Sequence, residues 1–495
     1  MKSKPKLLFW LNGVFLHFSL AYYLQSQLDA DFFGIVDIND KPKTFFQSQK
    51  LVDFKKIWFY HDYIKKNNQK IDIEYLSNFE NTYNINLWKL AINERIFYKH
   101  NRFYKFEKEE ILSILEQELK LFERILDEVK PDYLLTDDPV FHHQKLLLDI
   151  CKIRGIKILS IYFTGIKDKI VIGKNGTTLD LDKNALNNPI QNKINTKMND
   201  NNSYDKVWHT YLKDKTPKFS NKLISLFAYL RNNDAELINT NFMYYGRTKI
   251  KVVRDSLNFE FKKRKNFSFL QKTTVSSPNL NIPYVYFPMN VNEEMNLLHY
   301  APFYTNQIEV IRHIAKSIPI DYLLYVKEHI GSELRGWNDI DYYKEILEIP
   351  NVKFMHPHFD NNILLQNSKL LITVRGTTAF KAVKYGIPSI IFGQQPFEII
   401  PSVFRVNSLL DLPNLINQAL STIVDSSLYE EYEQLIDNVG SNFNMFDYEN
   451  LRNRTFFAGG ILSNVKIYEK DMSNFLKNNE GMFSNLVNEH LKFLS

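Results

Sequence analysis

Short apolar runs, each closed by a polar turn and separated from the next by a helical pattern, recur through residues 284–392, and nothing else in the chain constrains the fold as strongly. The runs are Tyr284–Phe287, Tyr322–Val326, Val352–Phe354, Leu370–Val374 and Ser389–Phe392. Helical patterns fall between them near 306–317, 341–347, 362–367 and 377–385. Continuous apolar strands joined by helices predict a parallel sheet covered on both faces. Gly386-Ile-Pro388 ends one helix and opens the next strand, where Gly and Pro belong. The rhythm recurs earlier, at Leu7–Leu11, Phe32–Val36, Ile57–Tyr60, Tyr133–Thr136 and Ile156–Ile161. Within the helix at 107–129, Ile111, Leu115, Leu119, Phe122, Leu126 and Val129 form one apolar face. The expected fold is α/β, with two Rossmann-like domains facing a cleft.

A chain of 495 residues exceeds a single core, which agrees with two domains. The expected division is a Rossmann-like domain at 1–180, a helical and polar interdomain region at 181–280, a second Rossmann-like domain at 281–408, and a helical C-terminal segment at 409–495. Residues 186–206, rich in Asn, Lys and Asp, read as a mobile excursion, and 259–280 as a second polar stretch. Lys262–Lys265 reads as a solvated loop. The net charge of +6 is small for this length and suits an anionic substrate or a membrane surface. No motif for reading nucleic acid is present. Cys151 is the only cysteine, so no intrachain disulfide forms; it reads as core in a reducing cytosol. Asn12, His17 and Ser19 interrupt the first apolar run, which reads as a strand and helix rather than a signal peptide. No stretch is long and apolar enough to span a membrane, so no membrane span is expected.

The polar turns carry the candidate chemistry. Arg375-Gly-Thr-Thr378 follows an apolar strand and opens a helix. Thr377 or Thr378 could cap that helix, Gly376 would let a phosphate approach the backbone, and Arg375 could neutralise it. An ordinary capped helix is the competing reading. Lys327-Glu-His329 ends another strand at the usual ligand edge. There His329 could donate to a phosphate or act as an acid, and Glu328 could meet a ribose hydroxyl or orient the imidazole. Lys327 could contact phosphate or simply cover the sheet edge. His356, His358 and Glu398 lie on later turns and could contact base, ribose or sugar. In the first half, Asp137, Asp138 and His142 follow a strand and could supply the base for an acceptor hydroxyl, with Asp138 preferred. Asn12, Gly13 and Thr164 end strands of the same sheet and could line the cleft. His356-Pro-His358 with Asp360 is a poor metal-ligand set, and no metal or cofactor is expected. Walker, Gly-x-Gly-x-x-Gly and Gly-x-Ser-x-Gly signatures are absent.

Tyr286-Phe-Pro288, Asn306-Gln-Ile-Glu309, Lys327-Glu-His329, Asn351-Val352, Thr373-Val-Arg-Gly-Thr-Thr-Ala379 and Ala382-Val-Lys-Tyr-Gly-Ile-Pro388 occur in this order. With that spacing, residues from 283 to 405 resemble the bacterial capsule polysaccharide biosynthesis family, which includes transferases of 3-deoxy-manno-octulosonic acid (Kdo). The resemblance implies a GT-B-type pair of Rossmann-like domains. It further implies a donor bound by the C-terminal domain, often a cytidine monophosphate (CMP)-linked acidic sugar, with His329, Arg375, Thr377 and Thr378 at that site. His356-Pro357 also resembles the His-Pro element of bacterial sialyltransferases. Ile330 and Arg375 depart from the family's usual residues, a Pro and a small or Thr-like residue.

The expected activity is metal-independent glycosyl transfer from a nucleotide sugar to a surface polysaccharide or glycolipid, in the cytoplasm and at the inner face of its membrane. His329 and the 377–378 amides would stabilise the leaving phosphate. Rival readings are a polyol-phosphate transferase, a nucleotide-sugar epimerase and a non-catalytic polysaccharide-binding or assembly protein.

Overall fold

The computed structural model describes residues 4–67, 69–166, 168–173, 186, 219–231 and 239–494. The polar excursion read at 186–206 lies, except for residue 186, outside the described residues. The chain forms two compact units, Met1–Leu179 with Pro217–Val253 and Val439–Ser495, and Asp180–Thr216 with Arg254–Asn438.

The first unit carries a sheet of seven strands: β1 (Lys6–Asn12), β2 (Asp31–Asp37), β3 (Phe54–Phe59), β4 (Tyr133–Asp137), β5 (Lys157–Phe163), β6 (Lys169–Gly173) and, from the C-terminal part of the chain, β13 (Ser441–Asn442). Their order is β13-β6-β5-β4-β1-β2-β3. β1 to β5 run parallel, while β6 turns back against β5 and β13 against β6. Leu7 to Leu11 of β1 are all buried, as a central strand with helices on both faces requires. Each such buried side chain contributes about 1.5–3 kcal/mol. Helix Lys108–Val129 begins with a reciprocal capping box between Glu107 and Glu110 and buries Leu115, Leu119, Phe122 and Leu126. Helices Met445–Phe456, Glu469–Asn478 and Glu480–Leu494 bury Tyr448, Phe475 and Phe483 in the core that also contains Leu7, Phe9 and Leu11.

The second unit carries β7 (Tyr284–Pro288), β8 (Leu323–Lys327), β9 (Val352–Met355), β10 (Leu370–Thr373), β11 (Ser389–Ile391) and β12 (Val403–Arg405). All pairs are parallel, in the order β12-β11-β10-β7-β8-β9. In each sheet the earliest strand lies in the middle, the next two extend to one side and the fourth starts the other. Each unit is therefore Rossmann-like, with a topological switch point between β1 and β4 in one and between β7 and β10 in the other. Two α/β domains with helices at the C-terminus match the expected fold class.

Residues 259–273 differ from the polar stretch expected there. They belong to one helix, Lys249–Thr273, so Lys262–Lys265 is helical and not a loop. The segment has no Gly or Pro, and its Lys, Arg and Glu residues are good helix formers although few side chains are apolar. Among the described residues no helix is long and apolar enough to cross a membrane.

Candidate functional site

At the second unit's switch point the turn after β7, Met289–Asn292, lies between the turns after β8 and β10. Its framework is polar and tightly bonded. Gln307 is fully buried; its Oε1 accepts from the Asn290 amide at 2.7 Å, and its Nε2 donates to Asn290 O at 2.8 Å and Asn292 Oδ1 at 2.7 Å. Asn292 Nδ2 donates to Asn338 Oδ1 at 2.9 Å, and Asn338 Nδ2 donates to Glu328 Oε2 at 2.7 Å. On the other side, Asn290 Oδ1 accepts from the Arg375 amide and the Thr373 hydroxyl, both at 3.4 Å. The Lys327–His329 and Arg375–Thr378 turns thus flank one common turn on one edge of one sheet.

Arg375 is 4% exposed, and its guanidinium lies 4.0 Å from the centre of the Tyr300 ring. Nε donates to Gln394 O at 2.9 Å and Nη1 donates to Asn296 Oδ1. Gln395 Nε2 fixes the Arg375 carbonyl at 2.8 Å. All these partners are neutral. Nη2 is buried without a hydrogen-bond partner, and among the described residues no carboxylate pairs with this cation. A buried charge without a counter-ion costs several kcal/mol, so an anionic ligand is the natural complement.

Beyond Arg375 the backbone is also open. Among the described residues the amides of Gly376, Thr377 and Thr378 have no acceptor. The expected hydroxyl cap is not made: Thr377 already has helical dihedrals and forms no side-chain cap bond. The first bonds of the turn run from Ala379 to Gly376 O and from Phe380 to Thr377 O. Gly376 has a steric reason as well, since a Cβ there would stand 2.8 Å from Thr373 Oγ1.

His329 is half-buried, and its Nδ1 accepts from the Gly331 amide at 3.0 Å. In the neutral ring this puts the proton on Nε2, which makes that atom a donor. Glu328 is 1% exposed. Its Oε1 accepts from the His329 amide and Ser332 Oγ, and its Oε2 from Asn338 Nδ2 and Tyr343 Oη. Burial raises its pKa and these bonds oppose the rise. With both oxygens occupied, Glu328 positions the His329 turn and does not offer itself to a ribose. Lys327 is buried, and its Nζ donates to Asn361 Oδ1 at 2.8 Å.

The remaining candidates of this unit are more peripheral. Glu398 follows β11 in the turn Pro396–Ile399; its Oε2 is buried without a partner and its Oε1 lies 3.7 Å from Arg405 Nη1. His356 and His358 follow β9, two strands from β7. His356 Nδ1 accepts from the His358 amide at 3.2 Å, and burial, then His358 and Lys327, lower its pKa. His358 is exposed, 3.7 Å from Glu333 and against the Phe267 ring.

In the first unit Asn12, Asp137 and Asp138 lie at the carboxyl edge, but the switch point is closed. Asn12 Nδ2 donates to Asp137 Oδ2 at 2.9 Å and Gln144 Nε2 to Asp137 Oδ1 at 2.6 Å. Asp137 is therefore held by two amides. Asp138 is half-buried just beyond β4. A Cβ on Gly13 would meet nothing within 4 Å. Thr164 is built into the β5–β6 hairpin, donating to Lys169 O at 2.9 Å and accepting from the Ile166 amide at 3.1 Å.

His142 differs most from its expected role as a base. It is fully buried, with Nδ1 2.8 Å from Glu94 Oε2 and Nε2 3.0 Å from Glu118 Oε1. Burial disfavours its charge, but Glu118 and Glu94 outweigh burial and push its pKa up to about 10. Beside it, Asp37 bridges His61 Nε2 at 2.9 Å and His143 Nε2 at 3.2 Å. Burial opposes ionisation of Asp37, yet the two imidazoles hold its carboxyl well below the usual range. Sequence reasoning missed Asp37, His61, Glu94 and Glu118, and missed Asn290 and Asn296 in the second unit. Of these, Asn290 and Asp37 could have been found, because each lies at or just beyond the end of a strand.

No protein-family model matches this chain, and no curated protein does. Solved structures resemble it distantly. A UDP-GlcNAc 2-epimerase from Methanocaldococcus jannaschii, in complex with UDP-GlcNAc and UDP, is 10% identical over 88% of this chain and 99% of its own, with a TM-score of 0.26. A β-Kdo 2,7-transferase from Thermosulfurimonas dismutans is 10% identical over 64% and 89%, with a TM-score of 0.30. A UDP-forming α,α-trehalose-phosphate synthase from Burkholderia vietnamiensis is 9% identical over 92% and 99%, with a TM-score of 0.31. At these values none of the likenesses assigns a family or an activity to this chain.

Proposed function

We propose that this chain is a nucleotide-sugar enzyme that breaks the bond between a sugar's anomeric carbon and the phosphate of its nucleotide. The observation that supports this reading best is the buried Arg375 cation without a counter-anion, next to three open amides at a switch point. In this reading the phosphate accepts from Arg375 Nη2 and from the Gly376, Thr377 and Thr378 amides. His329 Nε2–H donates to the same phosphate as it takes the electron pair of the breaking C–O bond. Glu398 Oε2 is an acceptor for a sugar hydroxyl, and the His356 loop borders the nucleotide.

The finer reading is transfer of an acidic sugar from a CMP-linked donor to a hydroxyl of a surface polysaccharide or glycolipid, at the inner face of the cytoplasmic membrane. Asp138 is assigned to take the acceptor's proton. The Kdo-transferase-like spacing of Lys327–His329 and Thr373–Ala379 supports this donor class. Epimerisation of a nucleotide sugar is the second reading. Asp137 and His142, two candidates for activating an acceptor, are already bound within the protein. Epimerisation at the carbon next to the anomeric centre, by loss of the nucleotide and its return to the same carbon, breaks and re-forms that bond and needs no acceptor.

The test is incubation of the full chain with CMP-, UDP- and CDP-linked donors, with and without oligosaccharide or glycolipid acceptors, read by mass spectrometry. Nucleotide release that requires an acceptor supports transfer, and a rearranged nucleotide sugar without one supports epimerisation. Turnover of no donor under either condition contradicts the proposal and leaves a binding role.

A further inference from the structure

We propose that the first unit holds a divalent transition-metal ion, zinc by its ligand types, between Glu118, His142 and His143. One ligand atom from each of these three fully buried residues lies within 4.8 Å of the others. The 3.0 Å between His142 Nε2 and Glu118 Oε1 is close to the ~3.3 Å that separates two ligands of a tetrahedral zinc bound at about 2.0–2.1 Å. Two imidazoles and one carboxylate are a common zinc set, with a fourth position left for water.

The outer contacts favour a metal over a purely structural ion triad. Metal-bound imidazoles usually present their second nitrogen to a carboxylate, which fixes the ring. Here His142 Nδ1 faces Glu94 Oε2 at 2.8 Å and His143 Nε2 faces Asp37 Oδ2 at 3.2 Å. Asp37 is itself held by His61 Nε2 at 2.9 Å. The His143 ring is further fixed between Tyr60 and Phe141, with centroids at 4.5 Å and 5.5 Å. The remaining nitrogen, His143 Nδ1, is buried without any partner. A Glu94–His142–Glu118 triad does not account for that atom, and a metal would. The ion would tie the helix Lys108–Val129 to the start of the helix His142–Ile153. This departs from the metal-free expectation and does not depend on the nucleotide reading.

The test uses the full chain without a polyhistidine tag, expressed in zinc-supplemented medium and desalted through EDTA. Inductively coupled plasma mass spectrometry is expected to find about one zinc per chain, falling to background in His143→Gln and Glu118→Gln. Cobalt substitution should give the intense visible bands of a four-coordinate site. Glu94→Gln and Asp37→Asn change only outer contacts and should weaken affinity by about 10–100-fold, which keeps the test decisive if the ligand variants fail to fold. Wild-type protein with less than ~0.1 zinc per chain, or zinc content unchanged in the outer-contact and ligand variants, would overturn the proposal.

Discussion

The two switch points are built alike and finished differently. In the first unit an Asn at the end of β1 meets an acid at the end of β4, and Asn12 and Gln144 satisfy both oxygens of Asp137. In the second unit an Asn just beyond β7 meets an Arg just beyond β10, and the Arg375 cation is left with neutral partners and an unbonded Nη2. A satisfied polar group mainly supports the fold, whereas a buried group left unsatisfied marks where a ligand completes the structure. The contrast assigns stability to the first crevice and recognition to the second.

The largest effect should come from the network behind the first crevice. Glu118→Ala leaves the Tyr60 hydroxyl and His142 Nε2 short of a buried partner, and should cost about 3–5 kcal/mol of unfolding free energy in a urea titration. A loss well under 1 kcal/mol would mean the network is not structural. In the second crevice Arg375→Met should weaken nucleotide affinity by ~10–150-fold, equivalent to about 1.5–3 kcal/mol, without lowering Tm, because it removes a buried charge lacking a counter-ion. A large drop in Tm with affinity intact would reverse the comparison. Asp137→Ala should do the opposite, costing about 1–3 kcal/mol of stability through the unpaired Asn12 and Gln144 amides while leaving free-nucleotide affinity unchanged.

The smallest signal lies in pH. Glu328 has a raised pKa in the folded state, so the native chain holds this proton more tightly than the unfolded one. Its contribution to stability should therefore decline as pH rises from the ordinary Glu value of about 4.3 through the raised value. Urea midpoints compared across that range should show the decline in wild type and not in Glu328→Gln. Equal slopes in the two proteins would remove Glu328 from this role.

Much of the fold was legible because buried parallel strands such as Leu370–Thr373 read as unbroken apolar runs. β12 and β13 were not legible: Val403–Arg405 and Ser441–Asn442 are too short to show a pattern and pair only because neighbours present an edge. The helix Lys249–Thr273 buries only Asn266 and Leu270 fully, so no apolar stripe announced it. The Arg375 turn could be located from its strand and its Gly, but not the closure of Asp137 or the clamping of His142. Those depend on Glu94 and Glu118, which lie 48 and 24 residues from His142 and meet it only through tertiary packing.

The central claim is that Arg375 and the open amides after it hold a nucleotide phosphate. Calorimetric titration of the full chain with CMP, UDP and CDP, for wild type, Arg375→Met and Gly376→Ala, tests it most directly. The account predicts saturable binding of at least one nucleotide by wild type and a loss of about tenfold or more in each variant. Binding of none, or equal affinity in all three proteins, would contradict it.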